Sequence, residues 1–196
     1  MNPGDPLIGV NHPEFLNAKT RVQRGLPMRR IMAVLTIALA TLLSGCFASD
    51  RPMFAPDTAV RVLGDGGNYA TFEQDQGQEK PSDPITVRAR PGNVYDFVNE
   101  NGHATPVTFH ALPNGEHVAQ VKLEGNSGYG YVLARVTAKD VQIVPAECDK
   151  QDKVKMRALG VEERNRHECR IDKVADPTEL FAQLRKSEPV SRMARE

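Results

Sequence analysis

Between Val60 and Val144 the chain breaks into short runs that Gly, Pro and Asn separate every few residues. "NYATFE" follows "GDGG". "ITVRAR" follows the polar stretch "QDQGQEKPSDP", Gln74 to Pro84, and stops at Pro91-Gly92. "VYDFV" comes next, then "VTFHALPNGEHVAQVKLEG", "GYGYVLARV" and "VQIVP". Alternating runs of this length, bounded by turn residues, read as strands. Gly and Pro, at 15 and 14 of 196 residues, suit turns better than a helical bundle. The pattern predicts a mainly β domain of about six to eight short antiparallel strands, a small meander curling into a partly closed barrel or a sandwich. An apolar content of 40 % supports a modest core.

Asn114-Gly115 marks the clearest hairpin, because this dipeptide accepts positive φ at both central turn positions. A two-residue loop there pairs Leu112 with His117, His110 with Ala119 and Thr108 with Val121. One face then carries Thr108, His110, Leu112, His117, Ala119, Val121 and Leu123. The other carries Val107, Phe109, Ala111, Val118, Gln120 and Lys122. Neither face is purely apolar, so both are expected to meet something, core on one side and a helix or ligand on the other.

Past Pro145 the pattern turns helical. Val154, Met156 and Leu159 suit one face of a helix of about ten residues ending at Gly160, a usual residue just past a C-cap. "DPTELFAQLRK" is stronger: Asp176 caps, Pro177 takes the first turn, and Leu180, Phe181 and Leu184 share a side. One or two short C-terminal helices are therefore expected. Residues 188–196 read as a flexible tail.

Upstream, Arg29 and Arg30 precede "IMAVLTIALATLL", an uncharged run of 13 residues from Ile31 to Leu43. Crossing ~30 Å of hydrocarbon takes about 20 apolar residues. A positive start, a short apolar stretch and small residues at its end describe an export signal instead. The run closes on Leu43-Ser44-Gly45-Cys46, which resembles the lipobox of bacterial lipoproteins: an aliphatic residue, two small residues, then Cys. The resemblance covers the signal and these four residues. It implies a diacylglycerol on the Cys46 sulfur, cleavage between Gly45 and Cys46, and acylation of the new amino group. At ~0.8 kcal/mol per buried methylene one chain is marginal, and several give lasting attachment. Phe47 stands where an Asp would imply inner-membrane retention, which favours the periplasmic face of the outer membrane. Met28 before Arg-Arg makes a normal signal start, so residues 1–27 read as an over-extended reading frame.

The expected division is 1–27, then a signal peptide over 28–45 and a lipidated tether over 46–60, polar and carrying Pro52 and Pro56. An antiparallel β domain spans 61–147. A disulfide-closed helical appendage over 148–187 packs on the sheet, and the tail over 188–196 follows. Basic and acidic residues balance at 25 each, which removes the electrostatic case for nucleic acid. Residues 1–45 hold Lys19, Arg21, Arg24, Arg29 and Arg30 against Asp5 and Glu14, so the remainder is slightly acidic. Acyl chains on Cys46, not a basic patch, then hold the protein to the membrane, and an envelope protein is the expected further contact.

Cys148 and Cys169 remain as an even pair. In an oxidising envelope they are expected to form a disulfide worth ~3 kcal/mol on the chain-entropy estimate. His110 and His117 share a face in the register above, with His103 nearby, but no acid accompanies them, so no metal and no cofactor is assigned. "GDGGN" and "GNSGYG" lack the Lys-Ser/Thr ending of a phosphate loop. Neither a Gly-x-Ser-x-Gly elbow nor a defensible carboxylate pair occurs, so no catalytic residue is assigned. His110, His117, Tyr129 and Tyr131 stand as surface candidates for recognition. The first function class is a non-enzymatic binding or structural module facing the periplasm on a lipid anchor. An inhibitor of lysozyme or of a protease is the second. It rests on similarity to small disulfide-bearing barrel lipoproteins in size, address and strand content only; "SGYGY" departs in spacing from the Ser-Gly-x-x-Tyr type signature of lysozyme inhibitors. A hydrolase acting on envelope material is the third.

Overall fold

The computed structural model describes residues 47–196 apart from Ser127, Ala138 and Arg166, with only the backbone of Asn126. Gly45, Cys46 and the rest of the signal segment lie outside the described residues. The elements are β1 (Phe47–Ser49), β2 (Gly66–Asp75), β3 (Gln78–Arg90), β4 (Val94–Val98), β5 (Ala104–Ala111), β6 (His117–Lys122), β7 (Tyr129–Val136), β8 (Asp140–Val144), α1 (Lys153–Ala158), β9 (Glu162–Asn165), β10 (Glu168–Arg170), α2 (Pro177–Gln183) and β11 (Ser191–Arg195).

Strands β2 to β8 form an antiparallel meander, each paired with the next. The meander closes because β11 lies between β8 and β2, antiparallel to both. The result is an eight-stranded closed barrel. Residues 191–195 are therefore its last stave and not a flexible tail. Met193 faces inward beside Thr71 and Val141, and the ladder satisfies two rows of backbone groups that would otherwise be bare edges.

The interior holds one core, with Tyr69, Val87, Tyr95, Phe109, Ala134 and Val141 all buried. A second core lies outside the barrel wall. There Val118, Tyr131 and Leu133 point outward from β6 and β7 to meet Phe47, Phe54, Ile171, Leu180 and Phe181. The appendage packs on this wall. Early in β7 the edge later used by β8 is taken by β1, which also pairs in parallel with β10. Cys148 and Cys169 form a disulfide with Cα atoms 5.7 Å apart, closing the appendage beside β1.

Both helices have the expected caps. Asp152 accepts from the backbone of Val154 and Lys155, and Asp176 from Glu179. α1 is shorter than the expected ten residues, and its apolar face is narrower: Met156 is buried, Leu159 is half-buried, and Val154 is 82 % exposed. Gly160 ends it at φ +88°, where a Cβ would meet the Lys173 carbonyl oxygen at 2.6 Å. Val154 is the one exposed large hydrophobic residue among the described residues. The outer face of β3 also carries exposed Arg88 and Arg90. Among the described residues no helix is long and apolar enough to cross a membrane.

The β5–β6 hairpin departs from the expected register. A two-residue loop needs the backbone N–H of residue 113 for its closing pair, and Pro113 has none. Leu112 N–H instead donates to the Glu116 carbonyl at 2.8 Å, and Gly115 N–H to the Leu112 carbonyl at 3.1 Å. Pro113, Asn114 and Gly115 make a three-residue loop with Gly115 at φ +80°. The pairs are Ala111 with His117, His110 with Val118 and Thr108 with Gln120. One extra loop residue changes which residues share a face. His117 and Ala119 go inward with Phe109, while His110 goes outward with Val118 and Gln120.

The segment expected to be a free tether is a strap. Phe47 is 1 % exposed within β1, and Phe54 and Ala59 are buried. Ser49 donates to the Arg51 carbonyl at 2.5 Å and shares a 2.7 Å hydrogen bond with the Tyr131 hydroxyl, which accepts from Met53 N–H at 3.0 Å. Gly128 allows the close approach, since a Cβ there would lie 2.1 Å from the Ser49 carbonyl oxygen.

Candidate functional site

One end of the barrel is shut. The chain from Val60 to Gly64 crosses it, anchored by Val60 N–H on the Phe109 carbonyl at 2.8 Å. The Tyr95 hydroxyl accepts from Leu63 N–H at 3.0 Å and donates to the Gly64 carbonyl at 3.3 Å. Leu63, Tyr69 and Tyr95 fill this end.

The other end is hollow. A cavity of about 240 Å³ opens there, and all eight barrel strands contribute to its wall. Its depth is apolar: Ile85, Phe97, Val107, Val121, Val132 and Ile143 face it. This follows from strand alternation, since these inward positions end in aliphatic or aromatic groups too short to meet across the lumen. Polar residues ring the mouth, among them Glu73, Asn99 and His103.

Two charged residues at this end are paired, Arg192 on the outer face of the wall and His103 at the rim. Arg192 donates to both Glu79 carboxylate oxygens, at 2.7 and 2.8 Å, and lies over the Phe72 ring at 4.5 Å. Those bonds hold the Glu79 carboxyl below the usual carboxylate range. His103 Nε2 lies 2.6 Å from Glu124 Oε1. Glu73 accepts only a long bond from Ser82 at 3.4 Å, and Asp83 takes part in no ion pair among the described residues. Both are exposed.

The residues singled out in the sequence lie elsewhere. Tyr131 is a buried post between wall and strap, and burial pushes its hydroxyl pKa up. Tyr129 is half-buried against the outer core. His117 faces inward near the shut end, where burial lowers its pKa and leaves Nδ1 without a hydrogen-bond partner. His110 and His117 thus share no site. Among the described residues no group of three or more His, Cys, Asp or Glu could hold a metal ion. The lumen residues were not singled out. Their one sequence signal is the alternation of the strands that carry them.

His110 has a structural task. Its ring stacks on Phe54 at 4.6 Å between centroids and is 1 % exposed. The proton inventory around it is determinate. The Thr58 hydroxyl donates to the Ala55 carbonyl at 2.8 Å, so it accepts from His110 Nδ1–H at 2.9 Å. Nε2 then accepts from the Thr108 hydroxyl at 3.0 Å, which in turn accepts from Gln120 Nε2 at 3.4 Å. The Gln120 carbonyl takes Met53 and Phe54 N–H at 3.1 and 3.2 Å. The chain of bonds pins the strap to the wall and is satisfied by a neutral imidazole.

Burial pushes the His110 pKa down from 6.5 to about 4, partly opposed by a backbone bond at Thr58. The unfolded chain therefore takes up a proton near pH 6.5 that the folded chain refuses until about pH 4. His110 leaves stability undiminished above pH 6.5 and lowers it by up to about 3 kcal/mol as pH falls through that window. An NMR titration of the His110 ring should show no midpoint above about pH 5; a midpoint near the ordinary histidine value would contradict the assignment.

No protein-family model, no curated protein and no solved structure matches this chain.

Proposed function

We propose that the protein is a lipid-anchored, non-enzymatic binding module of the bacterial cell envelope, facing the periplasm, and that it binds a small apolar molecule in the open end of its barrel. The carrying observation is the cavity of about 240 Å³ walled by all eight strands. A water-lined depression needs no aliphatic wall, and a barrel built only for stability fills its lumen, as this one does at its shut end. The anchor part rests on Leu43-Ser44-Gly45-Cys46 and the signal-like run before it. The hydrolase reading has less support. His103 is bonded to Glu124 but to no serine hydroxyl among the described residues, so it lacks the nucleophile–base contact.

The test has two arms. The mature domain should enhance N-phenyl-1-naphthylamine fluorescence with saturable, one-to-one binding, and Val132→Phe, which fills the lumen, should remove it while circular dichroism stays unchanged. Enhancement that the filled variant retains would sink the binding site. In cells, Cys46→Ala should move the protein from the membrane to the soluble fraction, and a variant that stays membrane-bound would sink the anchor.

A further inference from the structure

The shut end of the barrel carries a polar depression of about 230 Å³ beside the chain segment Val62 to Gly64. Three side chains reach it from neighbouring staves. Arg195 of β11 pairs with Tyr69 of β2, and its N–H donates to the carbonyl of Lys139, just ahead of β8, at 3.0 Å. Two residues further in, Met193 and Val141 pair across the same two strands and belong to the interior core. Strand alternation therefore sets Tyr69, Arg195 and Lys139 in one row on the inner face. Gly67 lies on that face too and has no side chain to fill it. The Arg195 guanidinium rests there, since a Cβ on Gly67 would lie 3.5 Å from its Nε and 3.6 Å from Nη2.

Neither Lys139 nor Arg195 takes part in an ion pair among the described residues. The acids of this end are turned away or engaged. Asp140 pairs with Ala194, which puts it on the outer face, and accepts from the Thr137 hydroxyl at 2.9 Å. Asp65 is bonded to Arg61 at 2.6 Å. Tyr69 points to a ligand by itself. It is 3 % exposed, yet its hydroxyl makes no hydrogen bond among the described residues, whereas the Tyr95 hydroxyl has two partners. Nor is that hydroxyl sealed in. Among the described residues the one wholly buried side-chain polar atom without a partner is Nδ1 of His117, so the Tyr69 oxygen opens onto the depression that it lines. Burial pushes its pKa up, partly opposed by the Arg195 charge, which keeps it a donor at neutral pH. Two cations and a phenolic donor complement an oxyanion. A phosphate group brings nearly two charges and three acceptor oxygens, one for each of the three groups. The depression exceeds the roughly 30 Å³ share of one water several-fold, which leaves room for atoms attached to that group. We propose that the shut end binds a phosphate group, as inorganic phosphate or as the head of a small phosphate monoester, held by Arg195, Lys139 and the Tyr69 hydroxyl. The site is separate from the apolar lumen and does not depend on it.

The experiment titrates the mature protein with inorganic phosphate and with phenyl phosphate at pH 7 and low ionic strength, followed by calorimetry and phosphorus NMR. Acetate is the singly charged control. At least one phosphate should saturate with Kd on the order of 1 mM or tighter. It should bind at least about fivefold more strongly than acetate, and added salt should weaken it because both cations are exposed. Saturation by inorganic phosphate supports the free ion as ligand, and saturation by phenyl phosphate alone supports an ester. Lys139→Gln combined with Arg195→Gln should weaken binding by at least about tenfold with circular dichroism unchanged. Tyr69→Phe gives up no internal hydrogen bond, so it should fold as the parent does and weaken binding roughly three- to tenfold. No saturation by about 10 mM of either phosphate would overturn the proposal, and so would full affinity in the double variant or in Tyr69→Phe. Phosphate should leave N-phenyl-1-naphthylamine binding unchanged, so a failure at this end is distinct from a failure of the apolar cavity.

Discussion

Ending the chain at Val190 is expected to abolish cooperative folding. The deletion removes β11, which pairs over five positions with β2 and over four with β8. It also removes Met193 from the interior core. Losing a buried Met side chain costs about 2–5 kcal/mol by itself, and the domain's whole stability is of order 5–15 kcal/mol. The backbone loss comes on top. Both rows of N–H and C=O groups on β2 and β8 become open edges, and the lumen meets water along its length. Near-UV circular dichroism should vanish, urea should give no sigmoidal transition, and the fluorescent probe should lose its stoichiometric site. The exposed edges should also drive association, visible in sedimentation. A truncated chain that still unfolds cooperatively near the parent's midpoint would show that the other seven strands form a stable open sheet.

Replacing Phe181 by alanine is the second large effect. Its ring is fully buried, with centroid distances of 5.6 Å to Phe47, 5.7 Å to Tyr131 and 6.0 Å to Phe54. It is the one residue of α2 whose ring touches β1, the strap and the barrel wall together. Truncating a buried Phe costs about 3–5 kcal/mol, and the upper half of that range applies because the disulfide and the capped helix limit collapse into the void. The interior core is a separate cluster, so the lumen should keep its probe affinity in the fraction that remains folded. Chemical denaturation of Phe181→Ala checks the loss. A change below about 1 kcal/mol would mean that the appendage contributes little to the stability of the whole.

Much of this architecture could be read from residues alone. Strand alternation, the Asp176-Pro177 cap and the even cysteine pair all report local geometry, and each is found where local rules put it. What went astray depended on counting or on distance. Pro113 turns a two-residue loop into a three-residue one, and that single residue moves His110 and His117 onto opposite faces. Ser191–Arg195 has three polar or charged residues in five, so nothing local marks it as a stave, yet β2 and β8 both need it. The strap from Met53 to Thr58 has neither helical nor strand period. Only Phe54 within it is buried, and the strap is held by Gln120 and His110, each more than 50 residues away in sequence. The cavity is the extreme case. Its wall is a property of eight strands at once, and no single run discloses which inward side chains fail to meet.

The early burial of Phe47 sets how far the protein can reach. A free linker over residues 46–60 would extend to roughly 50 Å at about 3.4 Å per residue. Phe47 is instead locked into β1, so an anchor on Cys46 would leave a single residue, about 3.5 Å of chain, between the acyl chains and the folded body. The domain would ride on the bilayer and search in two dimensions.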